Sequence, residues 1–267
     1  MAMPNVTANG ITFNYEIVGP EGAPWITFGN SLATNLSMWD EQAALLSSDW
    51  RVLRYDQRGH GGTEATEPPY SFELLVGDVV ALWDALGVKR SAFCGLSMGG
   101  TTGVGLAIEH SDRLSAFVGC DLRYESASEF RKAWDERIAM ARVNGMDGMA
   151  MPTATRWFTA AFVNDPANQP VIDKICGMVR TTSLDGFIGC ANALQNIAYA
   201  DRLRRINVPT LFICGEHDPA ANPAYMAPMT DMVAGSRLHV VPDAGHISNM
   251  ENPASFNEGL TGFLDSL

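Results

Sequence analysis

The stretch Cys94-Gly95-Leu96-Ser97-Met98-Gly99-Gly100 constrains this chain more than any other. Residues 90–94 ahead of it are short and mostly apolar and read as a buried strand. Residues 101–110 behind it are small and apolar and read as a helix packed on a sheet. Strand, sharp turn and helix are the setting in which Gly-x-Ser-x-Gly is a nucleophile elbow. The glycines have a physical reason. The turn holds its serine in strained backbone geometry, and the two flanks approach so closely that side chains at positions 95 and 99 would clash. The elbow sets the Ser97 hydroxyl at a helix N-terminus, where the Met98 amide and the helix dipole face a developing negative charge. The alternative is a glycine-rich turn with an incidental serine, and the context weighs against it.

The flanking sequence tells what kind of sheet the elbow stands in. Residues 6–13 read as a hairpin around Asn9-Gly10, the favoured type I′ pair. Residues 25–28 form a third strand, 35–47 a short helical region, and 51–55 a fourth strand, followed by the turn-rich 56–63. Leu75, Val79, Leu82 and Leu86 recur at helical spacing, and the helix they predict ends at Gly87. After the elbow and its helix comes a sixth strand, 114–120. Strands alternating with helices mean βαβ units, hence an α/β fold with a mostly parallel sheet flanked by helices.

The alternation stops at Asp121. Residues 122–200 are helix-like and rich in Met and aromatics, with no convincing strand, and strand character returns at 210–214. We read 122–200 as an inserted helical cap and 1–121 with 201–267 as one core. The last strand is expected over 237–241 and the last helix over 253–264.

At 267 residues and 46% hydrophobic, the chain has ample material for such a core. No apolar run approaches the roughly 20 residues of a membrane helix, and the first five residues lack the basic and apolar regions of a signal peptide. A net charge of −12 argues against nucleic acid or an anionic membrane as partner. Five scattered cysteines, with no Cys/His cluster at ligand spacing, suggest no metal and no disulfide framework. A reduced cytoplasmic protein follows as the expectation. Whether it forms a homo-oligomer is left open.

A serine nucleophile needs a base and an acid that orients it. His246 follows the last strand, and Asp218 follows the strand before it. In an open parallel sheet such strand ends line one crevice. His217 lies on the same loop as Asp218 and is the competing base; Asp121, also at a strand end, is the rival acid. His60 reads as structural, His239 as a strand residue and His110 as a helix end.

Several motifs together resemble the α/β-hydrolase family over the full length of the chain. The order Ser97, Asp218, His246 is the family's triad order. Within the family the chain is similar to the 3-oxoadipate enol-lactonases. That similarity rests on Gly29-Asn30-Ser31-Leu32-Ala33-Thr34-Asn35-Leu36-Ser37-Met38-Trp39, on Arg51 to Asp56 with Arg58-Gly59-His60-Gly61, on the elbow, on Arg156-Trp157-Phe158-Thr159, and on Gly245-His246-Ile247-Ser248-Asn249. The resemblance implies an oxyanion hole from the amides of Leu32 and Met98, with Asn30 and Ser31 shaping it or touching the substrate. It implies hydrolysis of a small-molecule ester or lactone in aromatic-compound degradation, with no cofactor. One departure stands out: Asp121 follows the sixth strand where an uncharged residue such as Asn is expected.

An anionic substrate needs local cations in so acidic a chain. Arg123, at the cap entrance, and Arg156, beside Trp157, are the candidate substrate contacts, together with Trp134. The other cap cations, Arg137 among them, read as solvated surface charges. A carboxylesterase or a carbon–carbon bond hydrolase on the same triad, and a non-catalytic hydrolase-like binding protein, are the competing readings.

Overall fold

The computed structural model describes residues 4–267; residues 1–3, where the expected core and the segment without signal-peptide character begin, lie outside them. Eight strands form one sheet: β1 (Asn5–Ala8), β2 (Ile11–Val18), β3 (Trp25–Gly29), β4 (Arg51–Tyr55), β5 (Ser91–Leu96), β6 (Leu114–Cys120), β7 (Thr210–Gly215) and β8 (Arg237–Val241). Their order is β1-β2-β4-β3-β5-β6-β7-β8. The β1–β2 and β2–β4 pairs are antiparallel, and every pair from β4 to β8 is parallel. Asn9 and Gly10 of the first hairpin both have positive φ, as a type I′ turn requires.

The helices of the core are α1 (Asp40–Leu46), α2 (Phe72–Leu86), α3 (Met98–Glu109), α8 (Pro223–Met232), α9 (Ser248–Glu251) and α10 (Pro253–Leu264). In α2 the Ser71 side chain caps the Leu74 amide, and Gly87 closes the helix in the left-handed region at φ +74°. All six β5 residues and nearly all of α3 are buried, so the elbow stands at the centre of the molecule.

Between β6 and β7 the chain is helical: α4 (Ser128–Trp157), α5 (Ala160–Asn164), α6 (Gln169–Thr181) and α7 (Leu184–Gln195). The long α4 is two helices joined at Gly145, whose φ of +64° breaks the hydrogen-bond ladder. The only β feature of this segment among the described residues is a single bridge between Glu125 and Ala198. The segment packs on itself through α4, α6 and α7, and residues of α4 and α7 wall a cavity over the C-terminal ends of the parallel strands. No helix among the described residues is long and apolar enough to cross a membrane.

Candidate active site

Ser97 has φ +55° and ψ −114°, a backbone state that costs a non-glycine residue on the order of 1–3 kcal/mol. Its surroundings hold it there. The Ser97 amide donates to the Cys120 carbonyl at 2.8 Å, and the Gly99 amide to the Asn30 carbonyl at 3.0 Å. A Cβ on Gly95 would run into the Gly99 carbonyl, and one on Gly99 into the Gly29 carbonyl. Strand, helix and the loop after β3 therefore converge on the serine only because both positions are glycine.

The Ser97 hydroxyl lies 2.9 Å from His246 Nε2, and His246 Nδ1 lies 2.8 Å from Asp218 Oδ2. Asp218 Oδ1 accepts the Ala220 amide at 2.7 Å, which fixes the carboxylate plane. Asp218 is fully buried and His246 nearly so. The His246 loop is tied on both sides. The His246 amide donates to the Trp157 carbonyl at 2.7 Å, and Glu251 accepts from the Gly245 amide and from the Thr159 amide and hydroxyl. The histidine is thereby held by the end of α4. His217 is exposed and points to Glu216, so it stands apart from this chain of hydrogen bonds.

The loop after β3 turns through Ala33 at φ +59°. Among the described residues neither the Leu32 nor the Met98 amide has an acceptor, while both residues are buried beside Ser97. Of the two expectations for Asn30, shaping the hole or touching the substrate, its contacts fit the first. It lies outside the cavity lining, and its Nδ2 donates inward to the Tyr55 carbonyl at 2.7 Å while its carbonyl takes Gly99 and Gln57. It shapes the loop instead. Ser31 does line the cavity, with its hydroxyl unpartnered.

The cavity measures ≈ 370 Å³ and joins Ser97, His246, Ser31 and Leu32 to Arg123, Trp134, Arg137, Arg156 and Trp157. Trp157 sits with its ring centroid 6.1 Å from the His246 ring. Arg123 is largely committed: it donates to the Ala220 carbonyl at 2.7 Å and lies over the rings of Phe130 and Tyr225. Arg156 and Arg137 have no carboxylate partner among the described residues. Burial, and after it the Arg137 charge, push Arg156 down to about 10; burial also lowers Arg137. Arg137 stacks over the Trp134 ring at 4.6 Å, and the buried Trp134 Nε1 has no acceptor. Arg137 is the residue that sequence reasoning missed. Its signal was the Trp134-x-x-Arg137 spacing, which puts both side chains on one helix face.

Asp121 is buried at φ +47°; its Oδ1 accepts the Gly215 amide at 2.7 Å, and its Oδ2 lies 2.5 Å from the Ser248 hydroxyl oxygen. Burial first, then the neighbouring Asp218 charge, hold its carboxyl well above the usual carboxylate range. One group among the described residues brings metal-ligand atoms within 4.8 Å of one another: Glu216, His217 and Asp243. All three are exposed and lie outside the cavity lining.

The profile of the alpha/beta hydrolase family matches residues 22–258, and the chain belongs to that family. It is similar to 3-oxoadipate enol-lactonase 2 of Acinetobacter baylyi, at 35% identity over 97% of this chain and 95% of that protein. Enol-lactonase 1 of the same organism is 33% identical over 97% and 95%. The crystal structure of the enol-lactonase from Burkholderia xenovorans LB400 superposes with a TM-score of 0.93 at 40% identity, over 98% of this chain and all of that one.

Proposed function

We propose that this chain is a serine hydrolase that opens a carboxylated lactone, with 3-oxoadipate enol-lactone as the substrate and 3-oxoadipate as the product. His246 Nε2 takes the Ser97 proton as the Ser97 oxygen attacks the lactone carbonyl carbon, and Asp218 holds the imidazole tautomer and the imidazolium that forms. The Leu32 and Met98 amides receive the negative charge on the carbonyl oxygen. Collapse breaks the acyl–oxygen bond. The enol oxygen takes the proton from His246 and stays tethered to the acyl chain. A water then gives its proton to His246 and attacks the acyl carbon, which frees the second carboxylate and returns the proton to Ser97; the released enol moves its hydroxyl proton to carbon and becomes the ketone, 3-oxoadipate. Residues 122–200 act as the cap that closes the site over the core of 1–121 and 201–267.

One observation carries the choice of substrate class. In a chain of net charge −12, two half-buried guanidinium groups, Arg137 and Arg156, face the same cavity as Ser97 with no carboxylate in salt-bridge contact among the described residues; Glu136 acts on Arg137 from a distance, and Glu129 also lines the cavity. Like charges that share a shielded place with no direct ion-pair partner are unfavourable, and an anion bound between them relieves this. A substrate carboxylate supplies that anion, and the unpartnered Trp134 Nε1 and Ser31 hydroxyl supply further donors. The enol-lactonase relatives, similar over nearly the whole chain, support the same substrate.

The test compares kcat/KM for the carboxylated enol-lactone and its neutral methyl ester in wild type, Arg137→Ala and Arg156→Ala. Each substitution is expected to cost about 1.5–3 kcal/mol on the charged substrate, as charge-assisted hydrogen bonds do, and little on the ester. Equal losses on both would make the arginines braces of the cap. A wild type that prefers the ester would replace this reading with a general carboxylesterase.

A further inference from the structure

Asp121 is the one buried acid in the cavity wall that the hydrolytic steps above leave unused. Its contacts reach both loops that carry the catalytic partners of Ser97. Through Oδ1 it holds the Gly215 amide, three residues before Asp218. Through Oδ2 it holds the Ser248 hydroxyl, two residues after His246. Its own amide is bound to the Ile213 carbonyl of β7, and the carbonyl of the preceding Cys120 takes the Ser97 amide. One side chain thus sits where the nucleophile turn, the acid loop and the base loop meet.

We propose that Asp121 is a positioning residue which, as a neutral carboxylic acid, clamps the Asp218 and His246 loops to the end of β6. This inference rests on the reading of Ser97, His246 and Asp218 as the catalytic groups.

The neutral form follows from the company Asp121 keeps. Asp218 is its acidic neighbour, and two carboxyl groups sharing a buried site do not both ionise. Asp218 faces His246 and must carry the charge that stabilises the imidazolium, so the proton stays on Asp121. The other titratable groups packed around it offer no positive charge. Cys120 on β6 and Cys214 on β7 are neutral thiols whose pKa values burial pushes up. His246 is reached only through Asp218. Arg123, two residues along, is held by the Ala220 carbonyl and the Phe130 and Tyr225 rings. In the neutral form Oδ1 still accepts the Gly215 amide, while the protonated Oδ2 donates to the Ser248 oxygen across the same 2.5 Å contact; an Asn offers the same shape, one acceptor and one donor, without a charge.

Two readouts test this, one of them independent of turnover. An Asp in the unfolded chain ionises near pH 4. If folding keeps Asp121 protonated, the folded chain binds more protons than the unfolded one. Wild-type stability then falls as pH rises from about 4 toward the folded pKa. Asn does not titrate, so the Tm of Asp121→Asn minus that of wild type should grow with pH over this window. A difference that stays flat or shrinks as pH rises from about 5 to 9 would mean an ionised Asp121 and overturn the proposal.

The second readout is kinetic. Asp121→Ala should lower kcat on the order of 10–100-fold with KM little changed, as misplacement of reacting groups does. Asp121→Asn should recover most of that loss, to within about threefold of wild type. If the Ala variant does not fold, Ser248→Ala removes one of the two ties alone and should lower kcat in the same direction. Unchanged kcat in both Asp121→Ala and Ser248→Ala, or an Asn variant as impaired as Asp218→Asn, would contradict a positioning role. Ser97→Ala measured alongside separates the two readings. Activity surviving there defeats the catalytic assignment, while the pH dependence of Tm still reports the Asp121 proton.

Discussion

Ser97, His246 and Asp218 meet within hydrogen-bond distance although 149 residues separate the first pair and 28 the second. The geometry sets apart the two buried acids nearest this group, Asp121 and Asp218. Asp218 faces the imidazole; Asp121 faces a backbone amide and a serine. Asp218→Asn should therefore cripple turnover by on the order of 10⁴, through the wrong histidine tautomer. Rates for the Asp218 and Asp121 asparagine variants on the same lactone check this, and the reverse order would move the acid to Asp121. The order and strand-end placement of Ser97, Asp218 and His246 were legible in the sequence because loop position at a strand terminus is a one-dimensional property. Which side of a loop a residue faces is not. Asn30 read equally as a residue that shapes the loop or as a substrate contact, and only the fold turns its side chain inward to Tyr55. Arg137 looked like a solvated cation, and only the fold stacks it on Trp134 beside Arg156.

At the scale of elements, the α/β alternation was plain. Buried parallel strands are short apolar runs, and helix ends carry caps such as Ser71 and Gly87. Strands β6 and β8 and the last helix run where the sequence pattern places them. The helical segment between β6 and β7 was legible only as a whole. Its breaks at Gly145 and before Thr159 depend on packing among helices and on Glu251, neither of which has a local pattern. The elbow's close packing yields an element-level prediction. In Gly99→Ala a methyl group would press on the backbone of Gly29 and Asn30, the loop that presents the Leu32 amide. The fold should lose about 1–3 kcal/mol, as overpacked sites do. Thermal melting should show a Tm lower by several degrees, with activity reduced further than stability alone explains. An unchanged Tm and rate would show that the β3 loop yields freely.

The whole molecule places an acidic exterior around a cavity whose lining, among the described residues, offers unpaired donors from Arg137, Arg156, Trp134 and Ser31 beside one exposed carboxylate, Glu129. The excess of 30 acidic over 18 basic residues repels anions at long range, so on the proposed function the few cations at the cavity would have to recognise the substrate carboxylate. The helical segment contributes those cations, and the strand ends of the sheet contribute Ser97, His246 and Asp218. The ties from Trp157 and Thr159 to the His246 loop couple the two parts. The central claim is that this division of labour serves a serine-centred hydrolysis. It is tested most directly by kcat for 3-oxoadipate enol-lactone in wild type and in Ser97→Ala, with folding of the variant checked by circular dichroism. The account predicts a fall on the order of 10⁴ to 10⁶ with the fold intact. A variant that keeps even about a tenth of the wild-type rate, a loss of only some 1.4 kcal/mol, would contradict it.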